Sequence, residues 1–257
     1  MEARAVRLDH ESGEAVAPVT LDRPDRLNAL SAQVLEELVE VARRLDELHD
    51  CKVVVVRGAG RAFSAGFDLG EFGSPAGDRS VRDVADLGRQ AADALATTRP
   101  LTIAAVHGHC VGGGLVLAAA CDLRIAAEST RFAIPEVDLG IPLAWGGIPR
   151  LVRELGPAVT KELVLTCRPF DAEEARALRF VNRVVPDGEL DVAARRLADE
   201  LAAKPGFALR STKTQVNAVM DEIAGVGRNA NDADTLVVAM HDAESQAATA
   251  AYLAGRG

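Results

Sequence analysis

The spacing of apolar positions changes period repeatedly along the chain. Residues 3–9 and 14–21 are short runs with β-branched valines, split by Glu11-Ser12-Gly13-Glu14, and this predicts a hairpin. From Ser31, a fitting helix N-cap, Val34, Leu35, Leu38, Val41, Ala42, Leu45 and Leu48 fall at helical spacing. Val53–Val56 is β-branched throughout, as in a parallel strand buried on both faces. Residues 58–69 form a loop of small residues, and 70–80, rich in Gly, Ser, Pro and Asp, read as a mobile surface segment. A helix over about 84–96 precedes an apolar strand at Leu101–Val106. Short strands follow at 122–126 and 130–133, then a loop from Pro135 to Pro142. Helices are expected over 149–165 and 171–178, and a further strand over 181–185. Beyond about Leu190 the pattern is helical only, over 190–203, 207–223 and 231–253. The class is α/β, strand–strand–helix recurs three times, and the change of pattern divides a core of residues 1–195 from a helical region of 196–257.

One stretch stands out against this background, His107-Gly108-His109-Cys110-Val111-Gly112-Gly113-Gly114-Leu115-Val116-Leu117. A buried strand leads into it, and Leu115–Cys121 is apolar all round, as in a helix buried on every side. Glycines at such a junction let backbone N–H groups approach a ligand, with the positive end of the helix dipole behind them. An oxygen that becomes anionic during reaction can be held this way. A tight turn with close helix packing explains the same glycines, and the stretch alone leaves both readings open.

Composition narrows the field. With 257 residues and 48% hydrophobic content, the chain suffices for one large domain or one domain with an appendage. No apolar run reaches the ~18 residues that span a membrane, and Met1–Val6 lacks the apolar stretch of a signal peptide. A net charge of −9 argues against a general nucleic-acid surface. Cys51, Cys110, Cys121 and Cys167 are widely spaced, which suits free, buried thiols in a cytoplasmic protein. His107 and His109 are the only close histidine pair, on one side if the strand continues, and without further ligands no metal site is expected. Gly58–Leu69 is not a dinucleotide fingerprint, because Phe63 stands where the third glycine belongs.

Four segments carry a resemblance when taken together in order and spacing: Leu21-Asp-Arg-Pro-Asp-Arg-Leu-Asn-Ala-Leu30, Arg61-Ala-Phe-Ser-Ala-Gly-Phe-Asp-Leu69, Val111-Gly-Gly-Gly114 and Phe132-Ala-Ile-Pro-Glu-Val-Asp-Leu-Gly140. Over about residues 3–222 the chain resembles the crotonase, or enoyl-CoA hydratase/isomerase, family. The resemblance implies a spiral of ββα units with a C-terminal helical trimerisation region, and a homotrimer or dimer of trimers. It implies an acyl-CoA thioester as substrate, with coenzyme A as part of the substrate and no separate cofactor. Carried over by motif, the backbone N–H groups of Phe67 and Gly113 form the oxyanion hole for a thioester enolate, and such donors contribute roughly 3–4 kcal/mol each. Ala65 and Leu69 become candidates for the adenine end, Arg26 for the coenzyme phosphates, and Gly112, Val116 and Trp145 for the acyl site.

One departure from the family pattern bears on the chemistry. Hydratases of the family use two glutamates that share a water. The second falls here on Glu136, but the first position, a helical turn beyond Gly113, holds Val116. One carboxylate can take a proton from one carbon and return it to another, which is double-bond isomerisation. Adding water asks more of it. Asp68, beside Phe67, and Asp138, on the same side as Glu136 if that stretch is extended, are candidates for a second acid. The expectation is therefore an enoyl-CoA hydratase/isomerase with a single glutamate acid/base. Thioester hydrolysis or decarboxylation on the same fold, or acyl-CoA binding without turnover, are the alternatives.

Overall fold

The computed structural model describes residues 4–71, 80–229 and 231–255. The expected surface segment at 70–80 therefore lies mostly outside the described residues. In chain order the elements are β1 (Val6–Leu8), β2 (Val16–Leu21), α1 (Ala32–Glu47), β3 (Val53–Gly58), α2 (Val81–Thr97), β4 (Leu101–Val106), β5 (His109–Val111), α3 (Gly113–Ala120), β6 (Leu123–Ala127) and β7 (Arg131–Ala133). They continue with α4 (Gly147–Thr166), β8 (Phe170–Asp171), α5 (Ala172–Ala177), β9 (Arg183–Val185), α6 (Leu190–Ala202), α7 (Gly206–Ala224), α8 (Asp232–His241) and α9 (Ala243–Ala254).

The larger sheet has the order β1-β2-β3-β4-β6-β9, with β1 antiparallel to β2 and every other pairing parallel. The hairpin is thus present, and the valine run is the parallel strand it predicts. Alternation along β3 sends Val54 and Val56 into the main core with α1, α2 and α3, and Val53 and Val55 into a second core with α6. Because β3 is buried on both faces, no polar residue interrupts it before Arg57. On α1, Ser31 accepts a hydrogen bond from the Val34 N–H (3.3 Å), and the helix buries the side chains that the spacing selects. The boundary expected between residues 195 and 196 falls inside α6, whose Leu190, Ala194, Leu197 and Ala198 pack on the larger sheet.

A second, three-stranded sheet, β5-β7-β8, stands beyond the ends of the main strands. Single bridges Ser64–Cys110 and Leu30–Phe67 continue its pairing into the loop after β3. This sheet was legible only in part, because its strands are two or three residues long. His107 and His109 do not share a face. The strand ends at Val106, Gly108 turns at φ +58°, and β5 starts at His109. A Cβ at Gly108 would strike the Arg61 carbonyl, so the turn requires glycine.

Two helices differ from expectation. α4 starts at Gly147 and breaks at Gly156 (φ +75°) ahead of Pro157, which cannot donate to the preceding turn. The tail expected as one helix over 231–253 is two. Asp242 is extended between α8 and α9, and its carboxylate accepts the Ser245 N–H (2.9 Å) as the cap of α9. The tail is fixed to the core by α7, where buried Lys213 meets Asp122 at 2.9 Å and donates to the Pro100 carbonyl at 3.0 Å.

Candidate functional site

The glycines after β5 each avoid a different neighbour. Gly112 takes φ +50° and ψ −118°, open to glycine alone, and a Cβ there would overlap Glu136 Oε1. A Cβ on Gly113 would enter the Trp145 ring, and one on Gly114 would lie 2.7 Å from Ser64 Cβ. Gly113 is the first residue of α3, so its N–H has no acceptor within the helix. Close by, Gly66 turns at φ +87°, and a Cβ on it would stand 3.6 Å from the Gly113 nitrogen. The Gly66–Phe67 segment is therefore held against the start of α3. It is held there by the hydrogen bonds Leu30 N–H to Gly66 O (2.8 Å) and Asp68 N–H to Leu30 O (3.1 Å).

A partly open pocket, enclosing about 80 Å³, lies over this junction. Phe67, Gly113, Val116, Glu136 and Trp145 all line it, although they come from four separate segments. Trp145 sits at φ +61°, with its ring slotted between Gly88 of α2 and Gly113 of α3. The Phe67 ring meets it edge-on, at a centroid distance of 6.1 Å and an interplanar angle of 82°. Val116 is buried and packs toward Gly147.

Among the described residues that line the pocket, Glu136 is the titratable side chain shifted far from its ordinary range. Its Oε2 is shut off from solvent and has no hydrogen-bond partner. Burial raises its pKa to about 7, offset in part by a hydrogen bond from its own backbone N–H. The loop from Pro135 to Ile141 is a tight turn, with Leu139 N–H to Pro135 O (3.1 Å) and Ile141 N–H to Glu136 O (2.9 Å). Such a carboxyl, half-protonated near neutrality and aimed past a glycine, can give or take a proton at neutral pH.

The other candidates fall elsewhere. Because residues 135–141 turn and are not extended, exposed Asp138 does not share a side with Glu136 and does not line the pocket. Asp68 is engaged by Arg23 (3.0 Å) and by the Gly70 N–H (3.1 Å), which fixes the loop beside Phe67. Arg26 is exposed at the end of a short 3-10 turn. Ala65 and Leu69 are half-buried along the loop, and neither lines the pocket. A second, polar cavity lies on the α6 side of the larger sheet and carries Arg7, Arg57, Arg61 and His107. Among the described residues no group of three or more His, Cys, Asp and Glu is placed to hold a metal ion, and no helix is long and apolar enough to cross a membrane.

Several pocket residues escaped the sequence reading. Glu71, Val84 and Ala85 line it, as do Ile141–Ala144 and, from the tail, Leu236 and Met240. Gly88 is the one signal that could have pointed there, since a glycine inside an amphipathic helix calls for a close neighbour.

Comparison with known proteins agrees with this geometry. The model of the enoyl-CoA hydratase/isomerase family matches residues 11–256. A probable enoyl-CoA hydratase of Mycobacterium tuberculosis is 37% identical over 219 residues, covering 84% of this chain and 83% of the relative. The human mitochondrial Delta(3,5)-Delta(2,4)-dienoyl-CoA isomerase is 36% identical over 213 residues, 78% of this chain and 65% of the relative. Among solved structures, an enoyl-CoA hydratase/isomerase from Xanthobacter autotrophicus Py2 superimposes with a TM-score of 0.83 at 30% identity, covering 91% of this chain and 87% of its own. A monofunctional enoyl-CoA isomerase from M. smegmatis does so with a TM-score of 0.72 at 33% identity, over 85% and 95%. With the motifs, the two-sheet fold and the family match over nearly its whole length, this chain belongs to the enoyl-CoA hydratase/isomerase family, the crotonases.

Proposed function

We propose that the chain acts on acyl-CoA thioesters by stabilising an enolate, and that its preferred reaction is double-bond isomerisation with Glu136 as the only acid/base. The Phe67 and Gly113 N–H groups hold the thioester oxygen as charge develops on it. Glu136 removes a proton from the carbon next to the carbonyl and returns it two carbons along, so one carboxyl serves both steps. The observation that carries the reading is the Glu136 carboxyl, desolvated and unpartnered at Oε2 in the pocket that also holds Gly113. Val116, apolar and buried, leaves the position of a hydratase's first glutamate without a proton carrier. A pure binder has no use for a buried carboxyl poised near neutrality, which favours turnover over binding alone.

Gly112 belongs to the same reading as the residue that lets Glu136 approach, and Trp145 as the wall against Gly113. Ala65, Leu69 and Arg26 remain the proposed contacts for the adenine end and phosphates of coenzyme A, along the loop that leads away from the pocket. No cofactor beyond the coenzyme of the substrate is invoked. Four free, buried cysteines suit a reducing, cytoplasmic setting. The apolar stripe Val216, Val219 and Ile223 on α7 is exposed at i, i+3 and i+7, and supports a homotrimer or a dimer of trimers.

The test is hydrogen exchange. Glu136→Gln is expected to abolish exchange of the alpha proton of an acyl-CoA with solvent deuterium, and with it isomerisation, while coenzyme-ester binding stays within a few-fold. Exchange at the native rate in this variant refutes Glu136 as the base.

A further inference from the structure

Trp145, the only tryptophan of the chain, packs against both residues whose N–H groups form the proposed oxyanion hole. Its ring occupies the space that a Cβ on Gly113 would need, and the Phe67 ring meets it edge-on at 6.1 Å. The same ring fills the space left by Gly88 of α2. This placement depends on backbone that a bulky side chain does not favour. Trp145 is held at φ +61° and Gly146 after it at φ +66°, two left-handed residues in succession ahead of α4. A large residue keeps that conformation only where its surroundings impose it.

Arg150 of α4 supplies the constraint. Its side chain is 3% exposed, and its Nη1 donates to the carbonyls of both Trp145 and Gly146, each at 3.2 Å. A Cβ on Gly146 would lie 2.5 Å from that same Nη1, so the guanidinium packs directly on the turn. Its Nη2 donates to Asp93 Oδ1 of α2 at 2.7 Å. Burial pulls the Arg150 pKa down, and the hydrogen bond to Asp93 opposes this. The other oxygen of Asp93 accepts from Arg89 at 2.7 Å, and Arg89 also pairs with Asp86 at 2.7 Å. From the far side, Gly146 N–H donates to Asp232 Oδ2 of α8 at 2.7 Å. One helix, α2, therefore offers the Trp145 segment both a glycine that seats the ring and a carboxylate that, through Arg150, holds its carbonyls. Neither Arg150 nor Asp93 lines the pocket.

We infer, on the acyl-CoA reading above, that Arg150 anchored by Asp93 is a positioning residue of the reaction. It locks the left-handed turn that sets the Trp145 ring against Phe67 and Gly113, and so fixes the spacing of the two donors. It acts only through Trp145. Misplacing a reacting or stabilising group by about 1 Å can cost on the order of 100-fold in rate, even when the altered residue lies away from the chemistry. A lysine here keeps the charge but lacks the planar fork that reaches Asp93 and the two carbonyls at once.

Arg150→Lys and Asp93→Asn in the full chain test this with two readouts. Fluorescence of the single tryptophan reports the seat of the ring without any substrate. In Arg150→Lys the emission should shift to the red and quenching by acrylamide should rise. Exchange of the alpha proton of butanoyl-CoA with solvent deuterium reports the site, and its kcat should fall at least about tenfold with KM within about threefold. Asp93→Asn should move both readouts the same way by a smaller amount, and it decides the matter if Arg150→Lys does not fold. Arg153→Gln is the control. Arg153 ties the same helix to α7 through Asp221 (2.6 Å) and the Ala224 carbonyl (2.8 Å), so its loss should leave emission and kcat at native values. Native emission in the folded variants overturns the inference, as does an equal change in Arg153→Gln or a red shift at native kcat. If the native protein exchanges no alpha proton, the acyl-CoA reading falls and takes the catalytic half of the inference with it, while the emission series still decides whether Arg150 seats Trp145.

Discussion

At the scale of the residue, Glu136 ties stability and chemistry together. Its carboxyl titrates at about 7 in the folded chain, against about 4.3 in an unfolded one. The folded state therefore holds its proton over a pH range where the unfolded state has lost it. Stability falls as pH rises through this window, by roughly 3–4 kcal/mol in all, and is constant on either side. Glu136→Gln cannot ionise, so it should melt several degrees above the native protein at pH 8 and near it at pH 4.5, as read by calorimetry. Equal shifts at the two pH values would show that the carboxyl is not desolvated. The same titration sets activity: isomerisation kcat/KM should rise with pH to a plateau, with its midpoint near 7, because only the ionised carboxylate abstracts a proton. Val116 is the complementary residue. Val116→Glu restores a carboxyl one turn from Gly113, and hydration of crotonyl-CoA should rise about tenfold or more, followed by loss of the enoyl absorbance. The side chain lies tight against Gly147, so the gain should stop short of the usual two-acid effect. No gain over the native rate would mean that the pocket cannot seat the second acid productively.

At the scale of the element, the junction between β5 and α3 matters through its backbone. Gly112, Gly113 and Gly114 look alike in the sequence, yet their missing side chains make room for a carboxylate, an indole ring and a serine in turn. Gly113→Val does not act by blocking the thioester directly. The structure points its Cβ into Trp145, so the damage comes by displacing the ring that shares the pocket wall. Phe67→Pro acts differently, by deleting a backbone donor. Each variant should lose at least about 100-fold in turnover with the circular dichroism spectrum unchanged. Native rates in both would place the oxyanion donors elsewhere.

At the scale of the whole molecule, the tail divides its apolar residues between two tasks. Leu236, Val237, Val238 and Met240 form an apolar run on α8. In the structure Leu236 and Met240 turn inward to the pocket, and Val238 is exposed. The surface left for association is on α7, where Val216, Val219 and Ile223 form the open stripe. A trimer or a dimer of trimers should appear by light scattering at micromolar concentration, and Val219→Asp should shift it toward smaller species while leaving the circular dichroism spectrum intact. A native monomer at that concentration refutes the assembly.

What the sequence by itself determined was local and periodic. The valine run of β3, the helical spacing behind Ser31, the all-apolar α3 and the glycine junction before it were legible because each depends on neighbours a few positions away. The motif pattern carried the family, and it singled out Glu136 and Val116 before any contact was known. The tertiary structure alone decided which distant positions meet. Gly88, Gly113 and Trp145 form one slot from three elements, and no periodicity in any of them announces it. The same holds for Asp138, turned away by hydrogen bonds within 135–141, and for the histidines parted at Gly108. Most of all it holds for Leu236 and Met240. An apolar face on a helix states only that something must cover it. Whether that is a partner or the chain's own pocket depends on how the tail packs, and here the break at Asp242 and the ties of α8 to α2 and to the Trp145 segment turn it inward.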